Sequence, residues 1–329
     1  MKFKALRLFH EGGKRVSRMV EQTLEDLDPG EVVIKAQYAA VNYKDARAVT
    51  GVGSVVTRYP CIPGVEVAGI VAESKDPAFK PGDVVTVQGG REFGMRRDGA
   101  YSEYTRVPGA WIDRVPEGTD PFEPVALGLA AYTSALAVEE LAARGVAPDK
   151  GPILVTGGTG GSSSFAIDML AGLGYRVVAS TGKTAETEYL KSIGAAEVVG
   201  RDGIASGDKP LEDQRWAGAI DAVGGAPLDA LLRSMKQRGV VCAFGNAAGE
   251  TLSTSIYPFI LRGVSLVGIN GNHPVPERGS AWQRMQKGGD LRPRHIDKIA
   301  YSIPFVELQA HCDKLIGAGV RGRAVVKFG

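Results

Sequence analysis

From the N-terminus to residue 123, apolar and polar positions alternate in short runs rich in β-branched and aromatic residues. The segments KALRLF, EVVIKAQYAAV, GVEVAGIVAES, DVVTVQ and AYSEYTRVP predict strands, and Asp28-Pro29-Gly30 and Lys80-Pro81-Gly82-Asp83 predict breaks between them. A largely antiparallel β-domain is expected. From Pro124 the texture changes: EPVALGLAAYTSALAVEELAARG is a long apolar-rich helical stretch. After it, the strand candidates PILVTG, YRVVAST, AEVVG, GAIDAVG, GVVCAFG and SLVGIN are interleaved with the helical segments SFAIDMLAGLG, TAETEYLKSIGA and APLDALLRSMKQ. Such alternation predicts a doubly wound parallel sheet of the α/β class. Past Asn270 the pattern loosens, ending in HCDKLIGAGV and a last strand, RGRAVVKFG. This tail has no evident core of its own and is expected to return to the first domain. The expected division is 1–123 with 271–329, against 124–270.

At 329 residues the chain is long enough for two domains of ordinary size. Its 39 basic and 37 acidic residues leave a net charge of +2, which points to no class of partner. No basic block or aromatic-interleaved stripe marks a nucleic-acid surface, and no apolar run approaches the roughly 18 residues of a membrane span. The start MKFKALRLFHEGG reads as a strand rather than a cleavable leader, so a cytoplasmic protein is expected. Cys61, Cys242 and Cys312 are far apart and odd in number, which fits neither a disulfide framework nor a Cys-x-x-Cys metal site.

The stretch VTGGTGGSSS, residues 155–164, sits between a predicted strand and a predicted helix. Gly157 and Gly158 permit a tight bend, and Gly160 and Gly161 would let backbone amides approach a pyrophosphate at the helix N-terminus. Ser163 stands where the dinucleotide fingerprint has its third glycine; serine is a small substitute that can also cap amides. An ordinary β–α turn would look similar. The following strand ends in Ser180-Thr181-Gly182-Lys183, without the acid that NAD-binding domains use for the ribose hydroxyls. Two hydroxyls and an ammonium suit a 2′-phosphate, although Lys183 could equally be a solvated helix-start lysine. Asp221-Ala222-Val223-Gly224-Gly225 and Phe244-Gly245-Asn246 end further strands on the same expected edge.

At this point the chain resembles the medium-chain dehydrogenase/reductase superfamily over nearly its whole length. Pro63-Gly64-Val65-Glu66-Val67-Ala68-Gly69, Pro81-Gly82-Asp83-Val84-Val85 and Gly99-Ala100-Tyr101-Ser102-Glu103-Tyr104 match landmarks of its chaperonin-10-like catalytic domain in order and spacing. Zinc-dependent members carry a histidine where this chain has Val65 and a cysteine where it has Asn42. A catalytic zinc needs three protein ligands, so no metal is expected. His10, His273, His295 and His311 are scattered. Among zinc-free members the chain is most similar to the acryloyl-CoA reductase branch. That likeness is carried by Val41-Asn42-Tyr43-Lys44-Asp45, residues 177–183, residues 216–225, residues 257–266 and Gly322-Arg323. Three positions depart from the branch: Ser163, Asn270-Gly271 in place of an Asp-Ser pair, and Gly279 in place of a second basic residue beside Arg278. The last two bear on the substrate rather than the fold.

The resemblance implies hydride transfer from NADPH to the β-carbon of an α,β-unsaturated carbonyl compound such as acryloyl-CoA, without metal. It implies catalytic roles for Asn42, Tyr43 and Arg323, with an amide and a phenol orienting the substrate carbonyl or supplying a proton. Lys44 and Asp45 could be an exposed pair or a structural bridge. Around NADPH it implies Thr133, Gly157, Gly158, Thr159, Gly160, Gly161, Ser162, Ser180, Thr181, Gly182, Lys183, Arg201, Val223, Phe244, Gly245, Ile269 and Asn270. Arg91, Arg96, Arg97, Arg278 and Arg284 are available for CoA phosphates. A quinone or small-enone reductase with the same coenzyme, and a non-catalytic NADPH-binding sensor, are the rival expectations. A homodimer is expected, with SLVGIN as a pairing edge strand; neither nucleic acid nor membrane is an expected partner.

Overall fold

A computed structural model describes residues 1–89 and 92–329; Arg91 lies outside the described residues. The chain opens with an antiparallel hairpin, β1 (Phe3–Glu11) and β2 (Lys14–Gln22), turned at Gly12-Gly13 with positive φ at both glycines. The turn has the left-handed geometry that a two-residue hairpin requires. Strands β3 (Val32–Ala40), β4 (Glu66–Ser74), β5 (Val84–Gln88), β6 (Tyr104–Val107) and β7 (Asp113–Arg114) follow, with the short helix α1 (Tyr43–Val49) between β3 and β4. All the pairings among them are antiparallel. Next comes α2 (Phe122–Ala143), whose hydrogen-bonding is broken at Gly128, where φ is 35° and ψ is −140°.

The strands β8 (Ile153–Val155), β9 (Val177–Ser180), β10 (Glu197–Val199), β11 (Trp216–Asp221), β12 (Met235–Ala243) and β13 (Ser265–Gly268) alternate with α3 (Gly161–Gly172), α4 (Thr187–Ser192), α5 (Gly225–Arg233) and α6 (Tyr257–Arg262). They form one sheet in the order β10-β9-β8-β11-β12-β13, parallel throughout. The order reverses between β8 and β11, the position at which open α/β sheets bind their ligands. The chain then adds α7 (Gly279–Met285), α8 (Ile296–Ile299), β14 (Ala300–Pro304), α9 (Leu308–Ile316) and β15 (Arg323–Lys327). β15 joins the first sheet by pairing antiparallel with β3.

The chain divides into two compact units, residues 1–129 with 272–277 and 300–329, and residues 130–271 with 278–299. The core of the first includes Ile34, Val67, Val85, Tyr101 and Val326; that of the second includes Leu154, Val178, Trp216, Leu231 and Val241. Two segments fall differently from the expected division. Residues 278–299 join the second unit because the buried carboxylate of Asp168, on α3, accepts the backbone amides of Arg294 (2.6 Å) and His295 (3.0 Å). In the same segment the Arg278 guanidinium lies against the rings of both Tyr132 and Trp282. Residues 124–129 stay with the first unit, held by the charge cluster described below. The 22-residue α2 is apolar enough by length and composition to cross a membrane, but it is broken at Gly128 and mostly buried within the protein.

Candidate functional site

Each unit carries its own set of candidate functional residues. In the first, β3 ends at Ala40 and the chain turns into α1 with Asn42 as N-cap. The carboxylate of Asp45, three residues on, accepts the Asn42 backbone N–H at 3.0 Å, the return half of a capping box. Asn42 Nδ2 donates both its hydrogens, to Asp45 Oδ2 at 2.8 Å and to Glu66 Oε2 at 2.9 Å. Asn42 Oδ1 accepts from Arg323 Nη1 at 2.6 Å, so the amide's orientation is set on both sides. Arg323 also donates to Glu66 Oε2 (2.7 Å) and to the carbonyls of Val41 (3.3 Å) and Val125 (3.2 Å). Glu66 Oε1 accepts the amide of Leu129 at 2.7 Å.

This cluster explains the break in α2. A Cβ at Gly128 would collide with the Glu66 carboxylate, and the interrupted helix turns the Leu129 amide and the Val125 carbonyl toward the ion pair. A buried ion pair must have its remaining lone pairs and hydrogens satisfied to offset desolvation, and the open turn supplies those groups. Burial acts to raise the Glu66 carboxyl, but the Arg323 charge and the donors Asn42 and Leu129 outweigh it and hold it below the ordinary glutamate value. Asp45 is different. Burial pushes it up to about 6, the neighbouring Glu66 charge adds to the rise, and Lys44 and Asn42 oppose it.

The polar contacts of Asn42 and Arg323 among the described residues are those of this cluster. Arg323 is 3% exposed and donates through both Nη atoms to the cluster, while the partly buried Asn42 is held in it through Oδ1 and Nδ2. Tyr43, the first residue of α1, is half-buried, and its hydroxyl has no hydrogen-bond partner among the described residues. Lys44 Nζ donates to Asn272 Oδ1 at 2.9 Å. Among the described residues no group of three His, Cys, Asp or Glu is placed to hold a metal ion.

In the second unit all six strands deliver their C-terminal ends to one edge of the parallel sheet. Gly157–Ser162 follow β8, Ser180–Lys183 end and follow β9, and Arg201 follows β10. Val223 follows β11, Phe244 and Gly245 follow β12, and Ile269 and Asn270 follow β13. Thr133 lies in the second part of α2. Gly157 has φ of 59°, and a Cβ there would come within 2.8 Å of Val223 Cγ1, so the turn admits only glycine at this point. Thr156 Oγ1 donates to the buried Asp221 carboxylate at 2.6 Å, which also accepts the Gly224 amide at 2.8 Å, tying the β8 turn to the β11 turn.

The serines that follow the glycines have definite tasks. Ser163, where a third glycine is usual, caps no amide; its Oγ donates to the carbonyl of Thr156 at 2.9 Å. Ser164 Oγ donates to the Gly158 carbonyl at 3.1 Å, and Ser134 Oγ donates to the Ser162 carbonyl at 2.6 Å. The Gly158 and Gly160 amides are used internally, by the carbonyls of Ser180 and Gly157. Among the described residues, Thr159, Gly161 and Ser162 keep backbone amides without an internal acceptor, the orphan donors of a helix start. These donors at the head of the twelve-residue α3 fit a pyrophosphate.

At the next strand end, Ser180 is buried and its hydroxyl lies 3.4 Å from the Gly200 carbonyl, while Thr181 Oγ1 accepts the Lys183 amide at 3.0 Å. The cations at this loop are Lys183 and the exposed Arg201, whose guanidinium packs against Gly182 closely enough to crowd any Cβ there. Partial burial lowers the Lys183 ammonium from its ordinary value, with Glu186 opposing. Of the arginines considered for CoA phosphates, Arg278 is 1% exposed against two rings. Arg284 is paired with Asp290 (2.7 Å) and Glu139 (3.2 Å), and Arg97 stacks on Trp111. Arg96 remains exposed, with Glu92 at 3.9 Å.

Residues 28–117 match the alcohol dehydrogenase GroES-like domain, and residues 161–287 match the zinc-binding dehydrogenase family. The acrylyl-CoA reductase AcuI of Ruegeria pomeroyi is 40% identical over 318 residues, 96% of each chain. The crystal structure of the yhdH oxidoreductase of Salmonella enterica in complex with NADP superposes with a TM-score of 0.90, at 37% identity over 100% of both chains. That of Bacillus subtilis yhfP with NAD bound gives 0.88, at 38% identity over 99% of both. The chain belongs to the medium-chain dehydrogenase/reductase family, in its acryloyl-CoA reductase branch. It is an oxidoreductase.

Proposed function

We propose that the protein reduces the C=C bond of an α,β-unsaturated acyl-CoA such as acryloyl-CoA, with NADPH as coenzyme. The observation that carries the substrate class is the 40% identity to an acrylyl-CoA reductase over 96% of each chain. The coenzyme is supported by the glycine turn, by the absence of an acid in Ser180–Lys183 and by the cations Lys183 and Arg201. Bound NADPH supplies the hydride. The amides of Thr159, Gly161 and Ser162 hold the pyrophosphate, and Lys183 with Arg201 holds the 2′-phosphate. Tyr43, whose hydroxyl is uncommitted, donates a hydrogen bond to the substrate carbonyl as negative charge develops on it, and Asn42, Glu66 and Arg323 fix the turn from which it projects. With Asn42 and Val65 at the positions of the zinc ligands, a phenol is the group this lobe offers to that oxygen.

A second reading, reduction of a quinone or small enone, is favoured by the burial or pairing of Arg278 and Arg284, which leaves few of the expected cations for CoA. NADPH oxidation measured against acryloyl-CoA, free enones and quinones decides between them: a higher kcat/KM for quinones would refute the acyl-CoA assignment. We further propose that the protein is cytoplasmic and a homodimer. The edge strand β13 pairs only with β12 within its sheet, and beside it α6 and the preceding residue expose Ile256, Tyr257, Ile260 and Leu261. Ile260→Glu is expected to give monomers in sedimentation; an unchanged dimer would refute this face.

A further inference from the structure

We propose that Tyr189, on α4, is a positioning residue for the coenzyme, acting through Ser164 on the glycine turn. This rests on the coenzyme assignment above. The Tyr189 hydroxyl donates to Ser164 Oγ at 2.9 Å, and Ser164 Oγ donates in turn to the carbonyl of Gly158 at 3.1 Å. In a trans peptide the C=O of one residue and the N–H of the next point in opposite directions. Pinning the Gly158 carbonyl inward, toward α3, therefore directs the Thr159 amide out of the turn. That amide has no internal acceptor among the described residues.

The surroundings leave the turn little choice but to follow this anchor. The Gly158 amide is bound to the Ser180 carbonyl, and the space a Cβ would take at Gly158 is bounded by Ala179, Leu190 and Ile167. Leu190 is the neighbour of Tyr189 on α4, so the helix packs under the turn at one residue and hydrogen-bonds to it at the next. The group that Thr159 presents is an amide common to both coenzymes' pyrophosphate, whereas Lys183 and Arg201 meet only a 2′-phosphate. Tyr189 should govern affinity for the shared part of the coenzyme and leave the choice between NADPH and NADH to the loop before it.

The test is a double-mutant cycle on Tyr189→Phe and Ser164→Ala in the full chain, with dissociation constants for NADPH and NADH from fluorescence titration and kcat at saturating coenzyme. Each single variant is expected to weaken both coenzymes by the same factor, about 3- to 10-fold, the worth of one hydrogen bond. The NADPH:NADH ratio and kcat should stay unchanged, and the double variant should bind no more weakly than the weaker single variant, because either change breaks the same relay. Unchanged affinities in Tyr189→Phe, strictly multiplicative losses in the double variant, or a shift in the coenzyme ratio would each overturn the relay. Failure of the wild type to bind either coenzyme would instead overturn the coenzyme assignment itself.

Discussion

Replacing Asp45 by Asn should stabilise the protein at high pH and lose that advantage as the solution is acidified. Asp45 is 1% exposed, and its carboxyl is raised from 3.8 to about 6, chiefly by burial. A folded-state value above the unfolded one means that the folded chain holds this proton more tightly. The resulting stabilisation is fully present below the unfolded pKa and is lost as pH rises through the folded one. By pH 8 the ionised group costs about 3 kcal/mol relative to the protonated one, and about half of that cost is already expressed at pH 5. Asparagine does not titrate, and its carbonyl oxygen can still accept from both Asn42 donors. Urea unfolding of the wild type and Asp45→Asn at pH 5 and pH 8 should therefore show the difference moving by about 1.5 kcal/mol in favour of the variant. A difference that stays flat, or one in which the variant loses ground as pH rises, would show that Asp45 is ionised at little cost and that the buried cluster tolerates its full negative charge.

Tyr43→Phe should lower kcat for the unsaturated substrate while leaving NADPH affinity nearly intact; an unchanged kcat would move the chemistry elsewhere. Lys183→Ala should reduce the preference for NADPH over NADH by roughly 10- to 100-fold, the worth of a charge-assisted hydrogen bond, as read from the ratio of kcat/KM values. A wild type that favours NADH would defeat that assignment. Exhaustive chelation should leave activity unchanged, since Asn42 and Val65 provide neither thiolate nor imidazole; loss of activity that zinc restores would defeat it.

The parallel sheet was legible because its strands carry compact apolar runs near glycine-bearing turns, although β12 also takes in Met235-Lys236-Gln237, which reads in the sequence as the end of a helix. β2 was not, because KRVSRMVEQ carries charge on both faces and is held by its hairpin turn rather than by a buried face. The glycine turn could be located from spacing alone, but which amides it leaves free depends on the hydroxyls of Ser163, Ser164 and Ser134, which fold back onto carbonyls. The family pattern points to Asn42 but not to the contacts it makes. The nearby Asn42-x-x-Asp45 spacing, a helix-capping pattern, was the available sign of its structural task. Its other partners, Glu66 and Arg323, are remote in sequence, and no local pattern announces them. The placement of residues 278–299 rests likewise on Asp168, a carboxylate inside an otherwise apolar helix.

The ion pair at Gly128 also has a temporal side. Glu66 and Arg323 stand 257 positions apart, so during synthesis the Glu66 carboxylate exists for most of the chain's emergence without its cation. A ribosome-bound chain that has already made β1–β7 can collapse this lobe only by burying uncompensated charge or by leaving its centre wet. Completion of the first unit therefore waits on β15, and the second unit, contiguous apart from the late segment 278–299, is free to fold ahead of the lobe that precedes it.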